Sequence, residues 1–337
     1  MSNFKEKAQL IFEEIKKVNN ILLHCHVSPD ADSLGSCLAL KEFLERIGKN
    51  ATLISGDDPI PKSMKHFPGA DKVEEKNFFE VDLKNLDLLI SLDTASIDMI
   101  SKLGDVKFPE NLKVIVIDHH ISNTNFGDIN LVEANFIAAG EIIYMLLKEW
   151  KVSVTDTMAL NLFLAIYTDS GGLKFSKTTE QTYKIASELV SLCPDFSEAI
   201  FKLENSNSPE KIFFLGLALN SLEYHFDSNV VISAVSFEKL QDKGIPKEHT
   251  SKAGISNILI SVEGWNIGIT LVEREKGVIS VDFRTRDPER FDVSKLAVAL
   301  GGGGHKAAAG ATIKGNFQKV KKHLLEIIPN IYPNLGS

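Results

Sequence analysis

Cysteine is scarce in this 337-residue chain: Cys25, Cys37 and Cys193 are odd in number and show no CxxC spacing. That argues against a disulfide framework and against a structural zinc site, and the three read as buried thiols in a reducing cytoplasm. No apolar run approaches the ~18 residues that cross a bilayer. The first residues, MSNFKEKAQLIFEEIKK, mix acidic and basic side chains on an amphipathic helical pattern, so neither membrane insertion nor secretion is expected. A strongly basic stripe is also missing, which argues against a binder of long duplexes. Beyond the glycines at 301–304 there is no low-complexity tract and no internal repeat.

The composition is that of an ordinary soluble globular protein, 44% hydrophobic and 24% charged. Its length exceeds what one core usually organises, so two unequal domains are expected. The formal charge of −8 is unevenly spread: residues 206–337 hold 16 Lys+Arg against 14 Asp+Glu, whereas residues 1–205 hold 21 against 31. An acidic first part suits a carboxylate-rich site neutralised by cations. Pro194 and the polar segment Asn205-Ser206-Asn207-Ser208-Pro209 suggest domains at 1–194 and 210–337, joined by a connection at 195–209.

Three apolar runs in the first part read as buried strands: Ile21–Leu23, Leu88–Leu92 and Val114–Ile117. Helical periodicity lies between them, most clearly over Ser33–Ile47 before Gly48. The alternation predicts an α/β domain, a mostly parallel sheet covered on both faces and flanked by helices. The first run leads into His24-Cys25-His26 and on to Asp30 and Asp32, the second into Asp93, and the third into Asp118-His119-His120. Ligands of such sheets bind outside the carboxyl ends of the strands, so these clusters should converge. Helical pattern over Thr157–Thr168 delivers Asp169, and it resumes over Thr179–Leu192. In the second part Val230–Phe237, Trp265–Glu273 and Val278–Phe283 read as strands, the last two joined across Lys276-Gly277 as a hairpin. Helical patterns at Lys252–Ser261, Val293–Leu300 and Phe317–Ile328 complete a smaller α+β domain with a mixed sheet.

His26, Asp30 and Asp32 put an imidazole and two carboxylates in one strand-to-helix turn, restrained by Pro29. Such donors suit Mn²⁺, Fe²⁺, Zn²⁺ or Co²⁺. Capping of the next helix by Asp32 and Ser33 is the competing reading. Asp93 alone would read as a strand-end turn residue, and Asp169 as a helix-end one. Asp118-His119-His120 is harder to place without partners, because three titratable groups directly follow an apolar strand. In the second part, Gly303, Gly304 and His305 belong to a glycine run readable as a flexible turn or a phosphate-binding nest. Arg284 and Arg286, two apart on one strand, should share a face.

The order HVSPDADS (26–33), SLDTAS (91–96), VIDHH (116–120), YTDSGG (167–172) and GGGGHKAAAG (301–310) resembles the DHH phosphoesterase superfamily with its DHH-associated C-terminal domain. The likeness spans nearly the whole chain. Within that superfamily it points to the stand-alone nanoRNases that also remove the 3′-phosphate from adenosine 3′,5′-bisphosphate. The resemblance implies two Mn²⁺ ions, His26 and Asp30 holding one, Asp32, His119 and Asp169 the other, and Asp93 bridging both. It makes Asp118 and His120 supporting or proton-handling groups, with His120 at the scissile phosphate or leaving oxygen. Arg284, Arg286, Gly303, Gly304 and His305 would bind a short single-stranded RNA or DNA, or a nucleotide, in a cleft between the domains. A cytoplasmic location, no membrane partner and a chain able to form a homodimer complete the expectation. Two departures bear on substrate preference. The family's Thr-Asp-Thr-Gly-x-Phe-Arg reads Thr168-Asp169-Ser170-Gly171-Gly172-Leu173-Lys174, and a small hydroxyl residue often found before the helix at 141 is absent from Ala138-Ala139-Gly140. Rival readings are hydrolysis of polyphosphate or pyrophosphate, and a non-catalytic nucleotide-binding module.

Overall fold

A computed structural model describes residues 2–250, 253–333 and 335. The chain forms two compact units that divide between Ser206 and Asn207. The first contains α1 (Ser2–Lys17), β1 (Asn20–His24), α2 (Ala31–Arg46), β2 (Asn50–Ile54), β3 (Leu88–Leu92), β4 (Lys113–Asp118), β5 (Ile129–Val132), α3 (Ala139–Glu149), α4 (Asp156–Asp169), α5 (Glu180–Leu192) and α6 (Phe196–Glu204). Its five strands are all parallel, in the order β2-β1-β3-β4-β5.

Alternation along the strands explains how both faces of this sheet are covered. Ile21, Leu23, Leu88, Ile90, Leu92, Ile115 and Ile117 enter a large core shared with α1 to α6. Leu22, Leu89, Val114 and Val116 point the other way, onto Phe78, Ile100 and Leu112 from loops and short 3-10 turns rather than α-helices. Helices α2 and α4 meet backbone to backbone at Gly35, where an added Cβ would lie 2.4 Å from the Asn161 main-chain carbonyl oxygen. Gly35→Ala gains ~1 kcal/mol of helix propensity but overpacks this crossing, for a net loss of roughly 2 kcal/mol. Thermal or urea unfolding checks this; an unchanged midpoint would mean that the crossing yields freely.

Residues 196–204, expected to lie in the connection, instead form α6. Ala199 of this helix is buried, Phe196 packs edge-on against Phe163 at 5.5 Å, and His66 Nε2 lies 3.2 Å from the Ala199 carbonyl oxygen. Pro209 likewise opens a helix: it is the first residue of α7 (Pro209–Leu219), capped by Ser208. Proline at a first helical position loses no hydrogen bond and has the right φ, so Pro209 marks a helix start, whereas Pro194 lies just before the N-cap residue of α6, Asp195.

The second unit continues with β6 (Leu222–His225), β7 (Val230–Val235), α8 (Phe237–Asp242), α9 (Ala253–Ser261), β8 (Ile267–Glu275), β9 (Val278–Thr285), α10 (Ser294–Ala299), β10 (Gly303–His305), β11 (Ala308–Lys314) and α11 (Phe317–Ile331). Its six-stranded sheet, in the order β10-β11-β9-β8-β7-β6, is mixed, because β7 and β8 are parallel and the other pairs antiparallel. The hairpin across Lys276-Gly277 is present, with Gly277 at φ 80°. The strand from Val230 ends at Val235 and Phe237 opens α8; Lys252 of the expected helical stretch lies outside the described residues. Among the described residues no helix is long and apolar enough to cross a membrane.

Candidate metal centre

The strand order 2-1-3-4-5 places a topological switch between β1 and β3, where connections leave in opposite directions and open a crevice at the carboxyl ends. His26, Asp30 and Asp32 follow β1, Asp93 follows β3, and His119 and His120 follow β4. Asp169 arrives at the C-terminus of α4.

Ligand-type atoms fall into overlapping groups, each within 4.8 Å: His26, Asp30 and Asp93; Asp32, His119 and Asp169; and Asp93, Asp118, His119 and His120. His26 Nε2 stands 3.3 Å from Asp30 Oδ2 and 3.5 Å from Asp93 Oδ2. His119 Nε2 stands 3.3 Å from Asp93 Oδ1, 3.5 Å from Asp169 Oδ2 and 3.7 Å from Asp32 Oδ2. Asp93 thus turns one oxygen to each imidazole. Its φ of +55° is uncommon for a residue with a side chain, and its N–H donates to the Ile117 carbonyl at 2.9 Å. Backbone strain of this kind persists where the surroundings hold it in place.

Capping a helix and facing the cluster are not alternatives here. Asp30, rather than Asp32, caps α2: its Oδ1 accepts from Ser33 N–H at 2.9 Å while Oδ2 faces His26. Asp32 is fully buried and accepts from the N–H groups of Ala139 (2.7 Å) and Gly140 (2.9 Å) and from the Ser36 hydroxyl (3.1 Å). The N-cap residue of α3, Ala138, offers no side-chain bond. A carboxylate from α2 therefore satisfies the free amides of α3, where the helix dipole favours negative charge. This explains how the chain manages without a hydroxyl residue at Ala138-Ala139-Gly140.

Asp118 and His120 form a pair beside this group. His120 Nδ1 lies 2.8 Å from Asp118 Oδ1, and Asn123 donates to Asp118 Oδ2 at 2.6 Å and to the Thr94 carbonyl at 3.1 Å. The hydrogen bond to Asp118 raises the His120 pKa above its ordinary value. Burial alone would push Asp118 up, but hydrogen bonds from His120 and Asn123 outweigh it and hold Asp118 low. Asn123 was not anticipated: an asparagine three residues past a histidine pair carries no distinctive pattern. His24 stays outside the cluster, fully buried with its ring 6.4 Å from Phe78, and burial lowers its pKa to about 3.

The electrostatics of the cluster call for cations. Burial and the neighbouring Asp30 raise Asp32 to about 7, burial with Asp32 and Asp30 raises Asp169 to about 9, and Asp93 is pushed far up by burial and the surrounding aspartates. Burial and the positive field of His120 lower His119 to about 4, leaving a neutral imidazole fit to donate a lone pair. Asp93 Oδ1 and His119 Nε2 are buried without a hydrogen-bond partner although they face each other. Unpaired buried groups of this kind are costly unless an ion completes them, and the N and O donor set fits a divalent metal.

In the second unit Arg284 and Arg286 reach one face, toward α9. Arg284 Nε donates to Asn257 Oδ1 at 3.2 Å and Nη1 to Asp282 Oδ1 at 3.0 Å, and Arg286 Nη1 donates to the Val262 carbonyl at 2.6 Å. Arg286 lies just beyond the end of β9. Gly303, Gly304 and His305 form the exposed edge strand β10.

Residues 20–166 match the DHH family, N-terminal domain, and residues 227–330 match the DHHA1 domain. The chain is 30% identical to the bifunctional oligoribonuclease and PAP phosphatase NrnA of Thermus thermophilus, over 96% of this chain and 94% of that one. It is 29% identical to the protein of the same name from Bacillus subtilis, over 91% and 93%. An exopolyphosphatase-related protein from Bacteroides fragilis has the same fold, with a TM-score of 0.86 over 98% of both chains at 23% identity. With both domains matched in order and a relative spanned almost end to end, the chain belongs to the DHH family and is a phosphoric ester hydrolase.

Proposed function

We propose that this chain is a manganese-dependent phosphoesterase that cuts short oligonucleotides to mononucleotides and converts adenosine 3′,5′-bisphosphate to AMP. The observation that carries it is the division of ligand atoms into two triads, His26-Asp30-Asp93 and Asp32-His119-Asp169-type donors with Asp93 facing both imidazoles. His26, Asp30 and Asp93 would hold one Mn²⁺, and Asp32, His119, Asp169 and Asp93 the other. Bound there, the pair supplies charge neutralisation and Lewis-acid activation of water and phosphoryl oxygen. The names of relatives matched over nine-tenths of both chains support nucleotides over inorganic chains as substrate.

The remaining chemistry falls to the chain's own groups. His120 keeps Nδ1 on Asp118, which fixes its tautomer and orientation and leaves Nε2 to protonate the leaving ribose oxygen. Arg284, Arg286 and the Gly303-Gly304-His305 strand are assigned to substrate phosphate or base, a task suited to guanidinium forks and glycine backbone. A panel with Mn²⁺ tests the reading: release of mononucleotides from a 5′-phosphorylated dinucleotide and of phosphate from adenosine 3′,5′-bisphosphate, against phosphate release from polyphosphate. Turnover of polyphosphate alone would overturn it.

Removing the acid gives a further expectation. His120→Ala should lower kcat by about 10²–10⁴-fold while leaving bound manganese unchanged. Because the hydrogen bond to Asp118 raises the His120 pKa, the protonated acid persists to higher pH than in a free imidazole and is lost as pH climbs further. The basic limb of the wild-type kcat profile should therefore be missing from the variant; an identical limb would assign it elsewhere.

A further inference from the structure

The loop that follows Asp169 carries an aromatic and a cation that the metal centre does not use. Where the family motif has Phe and Arg, this chain has Leu173 and Lys174, and Leu173 turns into the core of the first unit. The next residue, Phe175, is 58% exposed. Its ring packs on the Gly171 backbone: a Cβ at Gly171 would lie 2.4 Å from Phe175 Cε1, so the ring takes this position only against a glycine. Gly171, Gly172 and Leu173 are consecutive left-handed residues (φ 60°, 70° and 63°). The loop is tied by Lys174 and Phe175 N–H to the Ser170 carbonyl (both 2.9 Å), Leu173 N–H to the Ser170 hydroxyl (2.8 Å) and Tyr183 O–H to the Leu173 carbonyl (2.7 Å). The loop that carries this exposed phenyl is thus held by four hydrogen bonds, and the ring packs on backbone two residues beyond Asp169, which lowers the ordering cost of a contact made there.

Lys177 completes the picture. It is exposed, and among the described residues its ammonium makes no ion pair or hydrogen bond. Its charge is felt at Asp169, His119 and His120. An exposed aromatic face and, two residues on, an uncommitted ammonium are the pairing that single-stranded nucleic acid binders use, one for a base and one for its phosphate.

Resting on the phosphoesterase reading above, we propose that Phe175 and Lys177 form a nucleotide-recognition rim on the catalytic unit. The Phe175 ring stacks on a nucleobase, and the Lys177 ammonium holds the adjoining phosphate. Both act on substrate binding, and neither contributes to the metal ligands.

The test compares full-length wild type with Phe175→Ala, Phe175→Leu, Phe175→Tyr and Lys177→Gln. Substrates are a 5′-phosphorylated diadenylate and its abasic analogue of equal charge, with manganese binding measured by calorimetry. Phe175→Ala and Phe175→Leu should raise KM for the diadenylate about tenfold, with kcat and manganese affinity kept. Phe175→Tyr should restore it, and the abasic analogue should not distinguish the Phe175 variants from wild type. Lys177→Gln should raise KM for both substrates several-fold and weaken the salt dependence of binding. A wild-type KM in Phe175→Leu, an equal rise on the abasic analogue, or loss of manganese from Phe175→Ala would each overturn stacking, the last by making the ring a support for Asp169. If wild type turns over neither substrate, the function proposed above fails and this inference falls with it; turnover with insensitive variants sinks the inference alone.

Discussion

Asp93→Asn is expected to cost at least ~10³-fold in kcat/KM, about 4 kcal/mol of transition-state stabilisation, because it removes the carboxylate that faces both triads. Asparagine is the informative substitution. The φ of +55° at Asp93 is tolerated by Asn better than by most residues, so the backbone at the end of β3 should survive. The variant should also melt higher than wild type when both are stripped of metal at pH 8. Asp93 is forced well above the usual carboxylate range by burial and by Asp32, Asp30, Asp169 and Asp118, so deleting its charge relieves strain in the metal-free fold. Inactivity with a raised metal-free melting temperature is thus the expected signature, read from steady-state kinetics and calorimetry. Near-normal turnover would remove Asp93 from its bridging role.

Metal-free protein should lose stability as pH rises from 6.5 to 9, by on the order of a few kcal/mol. For an acid whose folded pKa is raised, stability is complete below the unfolded value of 3.8 and drains away until the folded pKa is reached. Asp32 stops contributing to this loss at about 7 and Asp169 at about 9, and Asp93 is shifted in the same direction. His24 and His119 work oppositely: with folded values of about 3 and 4, they remove stability as pH falls below 6.5. The two sets roughly offset in mild acid, which leaves the carboxylates unopposed above pH 6.5. If the proposed function holds, manganese should reverse the trend, because it would take the place of the protons and bind more tightly as they leave. Denaturation in chelator and in Mn²⁺ across this range measures both slopes. A metal-free protein equally stable at pH 6.5 and 9 would mean that these aspartates are not buried together.

Much of the candidate metal centre was legible in the sequence because its residues are punctuation. Buried parallel strands read as short apolar runs, and an Asp or His directly after such a run has few structural reasons to be there. Other features left weaker traces. Strand β5, Ile-Asn-Leu-Val, is too short for its alternation to stand out, and edge strand β10 is three residues written mostly in glycine, with no apolar alternation to read. Helix α6 was hidden because Pro194 and a polar stretch around it look like linker, whereas its register is set by burial of Ala199 and packing of Phe196. The hold of Asn123 on Asp118, and of the α3 amides on Asp32, depends on elements distant in the chain coming together.

By itself, then, the sequence determined the parallel α/β catalytic unit, the mixed-sheet second unit and the set of imidazoles and carboxylates at strand ends, because local periodicity and residue type decide those. Only the tertiary structure decided how the oxygens are shared: Asp30 between cap and His26, Asp32 between α3 and His119, Asp93 between two imidazoles. It also set apart Phe175, whose exposed ring rests on the bare backbone of Gly171. These assignments depend on direction and distance in space, fixed by the strand order and the helix crossings rather than by spacing along the chain.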